Sequence, residues 1–127
     1  MSDLLYPEES YAIVGAYFTV YNKMGAGFTE QVYQECLEIE FEFLEIPFVA
    51  QKEFSLQYRG RVLEKSFRPD FVCYEKIIVE IKAISAIINE NKAQIINYLH
   101  ASHLQLELLI NFGHTTSLEY QRFANSQ

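Results

Sequence analysis

Cations are scarce in this chain. It holds 10 Lys and Arg against 17 Asp and Glu, a formal charge of −7 with neutral His, and binding to a phosphate backbone normally rests on Lys and Arg that displace counterions. Bulk charge therefore speaks against tight, non-specific nucleic-acid binding. The exclusion is limited, because carboxylates gathered around a divalent cation raise the acidic count while the metal reverses the local field. Cysteine is equally sparse: Cys36 and Cys73 lack the close spacing of a zinc site or a redox pair and read as reduced thiols in or near the core. No apolar run approaches the roughly 20 residues needed to span a bilayer. The opening MSDLLYPEES carries no basic leader followed by an apolar core and a small-residue cleavage site. The expectation is a soluble, cytoplasmic protein with no membrane role. Repeats, low-complexity tracts and internal linkers are also missing. What remains is 127 residues, 50% of them apolar, enough for one globular domain over 1–127 with a real core and too few for two.

Along the chain, Pro7 followed by two acids opens a helix that Gly25 closes, with Ile13, Tyr17, Val20 and Tyr21 near helical spacing. After Gly25-Ala26-Gly27, Thr29 can cap a second helix that ends before Pro47, with Val32, Leu37, Ile39 and Leu44 at roughly helical intervals. From Phe48 the period changes to two. Phe54, Leu56 and Tyr58 alternate with polar residues, and Arg59-Gly60 suits a hairpin turn before Val62 to Phe67, which predicts two strands. A second hairpin is predicted from Asp70–Tyr74 and Ile77–Ala83, the later strand nearly all β-branched, as suits the centre of a sheet. A third helix is expected over Asn89 to about Ser102, then a buried strand in LQLELLINFG and a short edge strand in SLEYQRF. The order is helix, helix, four strands, helix, two strands: an α/β fold with a mixed sheet flanked by helices.

The stretch DFVCYEKIIVEIKA, Asp70 to Ala83, is apolar enough for the middle of a sheet yet carries Asp70, Glu80 and Lys82. Side chains two apart on a strand share a face, so Glu80 and Lys82 emerge together while Val79, Ile81 and Ala83 fill the other side. A hairpin brings Asp70 to the neighbouring strand. Two readings fit. Glu80 and Lys82 form a salt bridge at a sheet margin, or the two carboxylates supply hard oxygen ligands for Mg²⁺ or Mn²⁺, with Lys82 orienting or deprotonating a water.

Pro69-Asp70 followed by Glu80-x-Lys82 resembles the signature of the PD-(D/E)XK nuclease superfamily, in which the Asp and Glu hold a catalytic metal and the Lys helps activate the attacking water. Gly27-Phe28-Thr29-Glu30-Gln31-Val32-Tyr33 is similar to the pattern that names the GxxExxY family of that superfamily. AQIINYL (Ala93 to Leu99) and LLINFG (Leu108 to Gly113) look like that family's third helix and following strand, so the resemblance runs from about Tyr11 to Gly113. It implies a restriction-endonuclease-like core.

It also implies Asp70, Glu80 and Lys82 as the central site, with Glu30 an added metal carboxylate. Locally, Glu30 is equally a helix N-terminal acid; Tyr33, on the same helical face and by the resemblance a candidate to touch substrate, reads more readily as a partly buried aromatic. Gln94 and Tyr98, four apart on a helix, resemble a Gln-x-x-x-Tyr element placed beside the metal; an amide and a phenol there can bind a phosphate or a water. A polar pair at a helix boundary is the plainer alternative. Arg68 fits the family pattern as a phosphate partner, or is a surface arginine. Two positions depart from the pattern: Gly25-Ala26-Gly27 stands for Gly-Pro-Gly, and Asn91 stands where a histidine is expected and cannot shuttle a proton. His100, His103 and His114 do not replace it. The resemblance thus implies an Mg²⁺- or Mn²⁺-dependent nuclease acting on DNA or RNA, or an inactive module of the same fold that binds nucleic acid or a protein partner. The exposed last strand is a candidate for pairing two copies into a homodimer.

Overall fold

The computed structural model describes residues 5–115 and 117–125. Helix α1 (Pro7–Met24) has Pro at its start, Glu8 and Glu9 in its first turn and Lys23 in its last, each complementing the helix dipole. Ile13, Ala16, Tyr17 and Val20 make its buried stripe. Gly25 stops it at φ 73, a conformation that favours glycine. Helix α2 (Glu30–Phe43) buries Tyr33, Leu37 and Phe41, one every four residues. Thr29 sits at its N-cap as expected, but the hydroxyl makes no capping bond.

The five-stranded sheet runs β1 (Phe48–Ala50), β4 (Phe71–Cys73), β5 (Ile77–Lys82), β6 (Leu106–Asn111) and β7 (Glu119–Ala124), in that spatial order. β5 is its central strand. Helix α3 (Asn89–Ser102) is the crossover that makes β5 and β6 parallel; the other pairings are antiparallel. β2 (Phe54–Tyr58) and β3 (Arg61–Phe67) form a separate two-stranded ribbon, turned at Arg59 (φ 51) and Gly60 (φ 79), as a two-residue hairpin with both φ positive requires.

Two expectations need correcting here. The period-two segment from Phe48 is two strands rather than one: at Gln51 the backbone turns to φ 59, so β1 joins the main sheet beside β4 while β2 leaves it. Five strands, not four, therefore precede α3.

The sheet's two faces are unlike. Phe71, Cys73, Ile77, Val79, Ile81, Leu106, Leu108 and Ile110 point toward α1 and α2 and merge with their buried stripes into the main core. Tyr33 stacks on Phe112 there with centroids 4.1 Å apart. The opposite face, under α3, has only a small cluster of Val72, Ile78 and Leu99, with Phe54, Leu104 and Phe123 against it. That thin apolar cover is where the charged side chains emerge. Cys36 and Cys73 are both free thiols; burial pushes Cys73 up to about 12.

Candidate active site

Phe71 pairs with Val79 and Val72 with Ile78, so one further step of the antiparallel register sets Asp70 across from Glu80. The Asp70 carboxylate is fixed there: its Oδ2 accepts the Ile81 N–H at 2.7 Å. Its carbonyl accepts from the Gln34 amide at 3.3 Å and from the Gln51 N–H at 3.2 Å. Glu80 is only 8% exposed. Desolvation first, then the charge of Asp70 and a hydrogen bond from the Glu80 carboxyl to it, push Glu80 up to about 9. Lys82, two residues on and on the same face, opposes that rise. The predicted trio of Asp70, Glu80 and Lys82 is thus brought together.

A fourth member was not foreseen. Glu107 on β6 pairs in parallel register with Ile78, which puts it on the same face as Glu80 and Lys82. It is wholly buried, and neither carboxyl oxygen has a hydrogen-bond partner among the described residues. Desolvation, then the fields of Glu80 and Asp70, push it up to about 10. In sequence it is one Glu inside LQLELLI, and only the register of β5 on β6 shows where it points.

Gln94 and Tyr98 are joined as the helical spacing predicts, the amide donating to the phenol at 3.2 Å. Desolvation raises Tyr98, and the charge of Glu80 adds to it, so α3 carries this pair to the acidic face. Its ring stacks on Phe67 at 4.4 Å; Phe67, missed by the sequence reading, is what seats α3 against the ribbon.

Glu30 approaches from α2. With Gln31, Gln34, Gln51 and Asp70 it lines a cleft of about 180 Å³ at the outer side of Asp70. Tyr33, expected to touch substrate, is fully buried. Its hydroxyl donates to the Gly25 carbonyl at 2.5 Å and accepts the Phe28 N–H at 3.2 Å. It therefore clamps the loop that leads into Glu30 and has no surface to offer a ligand. Arg68 is paired with Glu53 at 3.4 Å on the surface, both side chains more than half exposed. Asn91 accepts the Ile88 N–H at 2.9 Å; it caps α3, as a side chain at the third helical position can. Ile88 itself has no acceptor with which to complete a reciprocal box.

The connection from Lys82 to α3 is held by Asn111, which is fully buried. Its Oδ1 accepts from Ile84 N and Gly113 N at 3.0 Å, and its Nδ2 donates to Ile84 O at 2.9 Å and Glu119 Oε1 at 2.8 Å. Gly113 is needed there for space: a Cβ on it would lie 2.2 Å from the Ile84 carbonyl oxygen. Gly113→Ala is therefore expected to destabilise the protein by about 2–4 kcal/mol, read as a lower midpoint in urea unfolding. An unchanged midpoint would show that the Ile84 segment yields freely.

Hard oxygen donors on a water-poor face suit Mg²⁺ or Mn²⁺, and the buried Glu107 carboxyl on that face adds two oxygens that have no hydrogen-bond partner among the described residues. Among the described residues, no three His, Cys, Asp or Glu side chains converge into a ready-made cage. Mg²⁺ does not require one, since it is commonly held by one or two carboxylates together with waters and substrate phosphates. Asp70 and Glu80 therefore fit such an ion.

A family model described as the PD-(D/E)XK nuclease superfamily matches residues 7–123. No curated protein matches the chain. Among solved structures, the crystal structure of SSO0001 superposes with a TM-score of 0.61 at 16% identity, over 96% of this chain and 58% of that one. This chain thus spans less than two thirds of that protein's length. At such identity the likeness shows the fold alone: a mixed sheet flanked by helices, as in restriction endonucleases. No helix among the described residues is long and apolar enough to cross a membrane.

Proposed function

The chain belongs to the PD-(D/E)XK nuclease superfamily, and from that premise we propose that it hydrolyses phosphodiester bonds of DNA or RNA with Mg²⁺ or Mn²⁺ held by Asp70 and Glu80. The observation that carries the reading is the meeting of Asp70, Glu80 and Lys82 on one sheet face, with the Asp70 carboxylate oriented by the Ile81 N–H at 2.7 Å. The cation, when bound, lowers the pKa of a water and offsets charge developing on the phosphate. Lys82 donates hydrogen bonds to the attacking water and holds it in line. Gln94 and Tyr98, already bonded to each other, turn an amide and a hydroxyl toward the phosphate oxygens. Glu30, which lines the same cleft as Asp70, would be the added carboxylate for the cation. Arg68 exchanges its exposed partner Glu53 for a phosphate of the substrate. Tyr33 serves the site through the loop it clamps.

The finer assignment to the GxxExxY branch is part of this proposal and rests on Gly27–Tyr33, Ala93–Leu99 and Leu108–Gly113. So are a single nuclease-like unit over 1–127, a cytoplasmic location, and a homodimer formed through the free edge of β7, which gel filtration tests. Asn91, committed to capping α3, favours a second reading: a module of this fold that binds nucleic acid or a protein partner and no longer cuts.

Thermal unfolding in the presence of metal tests the site itself. A ligand that binds only the folded state stabilises it by about 2.7 kcal/mol at a hundredfold excess over its Kd. Millimolar Mg²⁺ or Mn²⁺ is expected to raise the melting temperature of the wild type by several degrees and to leave Asp70→Ala unmoved. No rise in the wild type contradicts the proposal.

A further inference from the structure

The few cations of this acidic chain are not spread evenly. Five of the ten, Lys52, Arg59, Arg61, Lys65 and Arg68, fall within residues 52–68 beside two acids, Glu53 and Glu64; the remaining residues carry five cations against fifteen acids. That segment is the β2–β3 ribbon, which is not hydrogen-bonded into the main sheet. All five cations are exposed, as are six of the seven residues of β3. Among the described residues none of Arg59, Arg61 and Lys65 is ion-paired, whereas Arg68 is held by Glu53.

The arrangement on the ribbon is ordered. The register sets Tyr58 opposite Arg61 at the outer end of one face and Phe54 opposite Phe67 at its root; between them the pairing shifts at Ser55–Gln57, across from Leu63, Glu64 and Lys65, where β3 bulges and Lys65 stands exposed. At the root of this face Phe54 stacks on Phe67 at 5.2 Å and Phe67 on Tyr98 at 4.4 Å. From Phe67 the chain needs only three more residues to reach Asp70. At the other end stand Arg59 and Arg61 around the turn, with Tyr58 66% exposed. Seven residues of β3 extend about 23 Å. A row of cations with an exposed aromatic among them thus runs outward from the site along an arm rooted on Tyr98.

We propose that the β2–β3 ribbon is the arm that holds the nucleic-acid substrate: Arg59, Arg61 and Lys65 contact backbone phosphates on the way to Asp70 and Glu80, and Tyr58 stacks on a base or lies along a sugar. A two-stranded ribbon is narrow enough to enter a major groove, and stacking on an aromatic tolerates any base. This rests on the nuclease reading for the class of ligand but not on cleavage. It also accounts for a nucleic-acid enzyme with a net charge of −7: the acidic remainder repels the polyanion everywhere but along the arm.

The test is equilibrium binding in EDTA, where no cutting occurs, of a short fluorescein-labelled duplex and of its single strand, followed by anisotropy as salt is raised from about 50 to 200 mM. The full-length Arg59→Ala/Arg61→Ala/Lys65→Ala variant is compared with wild type and with Lys23→Ala, a cation of α1 outside the arm. Losing three phosphate contacts is expected to make the slope of log K against log salt shallower by about 2.7 for the duplex and about 2 for the single strand. Affinity at the lowest salt should fall at least about tenfold. Lys23→Ala should match the wild type, and circular dichroism should show all three proteins folded. If the triple variant keeps the wild-type slope and affinity, or if Lys23→Ala weakens binding as much, the arm is not the binding element, whatever the protein cleaves. Binding through the ribbon without cleavage under any metal would instead sink the nuclease reading and leave this one standing.

Discussion

Lys82→Ala is expected to slow single-turnover cleavage of nucleic acid by about 10²–10⁴-fold, the range that a positioned proton-transfer or water-orienting group supplies. The substitution is clean for structural reasons. Lys82 ends β5, and its backbone carbonyl accepts the Phe112 N–H at 2.8 Å, a bond that alanine keeps. What disappears is the one ammonium whose field opposes the upward shifts of both Glu80 and Glu107. Metal binding, which rests on the carboxylates, should survive, so the Mg²⁺-induced rise in melting temperature is retained while the rate collapses. Wild-type rates in Lys82→Ala would remove Lys82 from the chemistry.

Glu107→Leu is expected to make the metal-free protein more stable at pH 8, by about 2–4 kcal/mol, because a leucine of similar volume replaces a buried carboxyl that nothing pairs. The sign follows from linkage. Glu107 in the folded protein is pushed up to about 10 and Glu80 to about 9, whereas in the unfolded chain each releases its proton near the ordinary carboxylate value. Above that value the unfolded state binds fewer protons than the native one, so stability falls as pH rises. The contribution is fully present below about 4.5 and is lost progressively until the folded groups themselves ionise. Urea unfolding at pH 5 and pH 8 should therefore show the wild type weaker at the higher pH. Glu107→Leu should narrow that gap and gain most at pH 8. A variant less stable than wild type at pH 8 would mean that Glu107 is compensated in the folded state.

Much of the fold could be read locally because each element is internally consistent. Pro7 and Gly25 bracket α1, Asn89 and Ser102 bound α3, and the β-branched run of β5 marks the sheet's centre. Asp70, Glu80 and Lys82 were legible for the same reason: a period of two inside one hairpin fixes which side chains share a face. β1 was hidden because the break before β2 depends on Gln51, a non-glycine residue in the left-handed region that gives no composition signal. Glu107 and Asn111 were hidden because their positions are set by the parallel pairing of β6 on β5, contacts made across the whole of α3. Tyr33 and Arg68 lie where the pattern puts them, but what a side chain touches depends on its neighbours: Gly25 and Phe28 occupy the tyrosine, Glu53 the arginine. The cations of the ribbon were visible as letters; their gathering on an arm separate from the main sheet needed the β2–β3 pairing.

Cleavage of end-labelled DNA and RNA by the wild type and by an identically purified Asp70→Asn/Glu80→Gln variant, each assayed in EDTA and in Mg²⁺ or Mn²⁺, decides whether Asp70 and Glu80 form a metal-dependent nuclease site. The wild type should cleave with metal only, and the variant under no condition. Equal cleavage by both proteins, or undiminished cleavage in EDTA, would contradict a metal site built on Asp70 and Glu80.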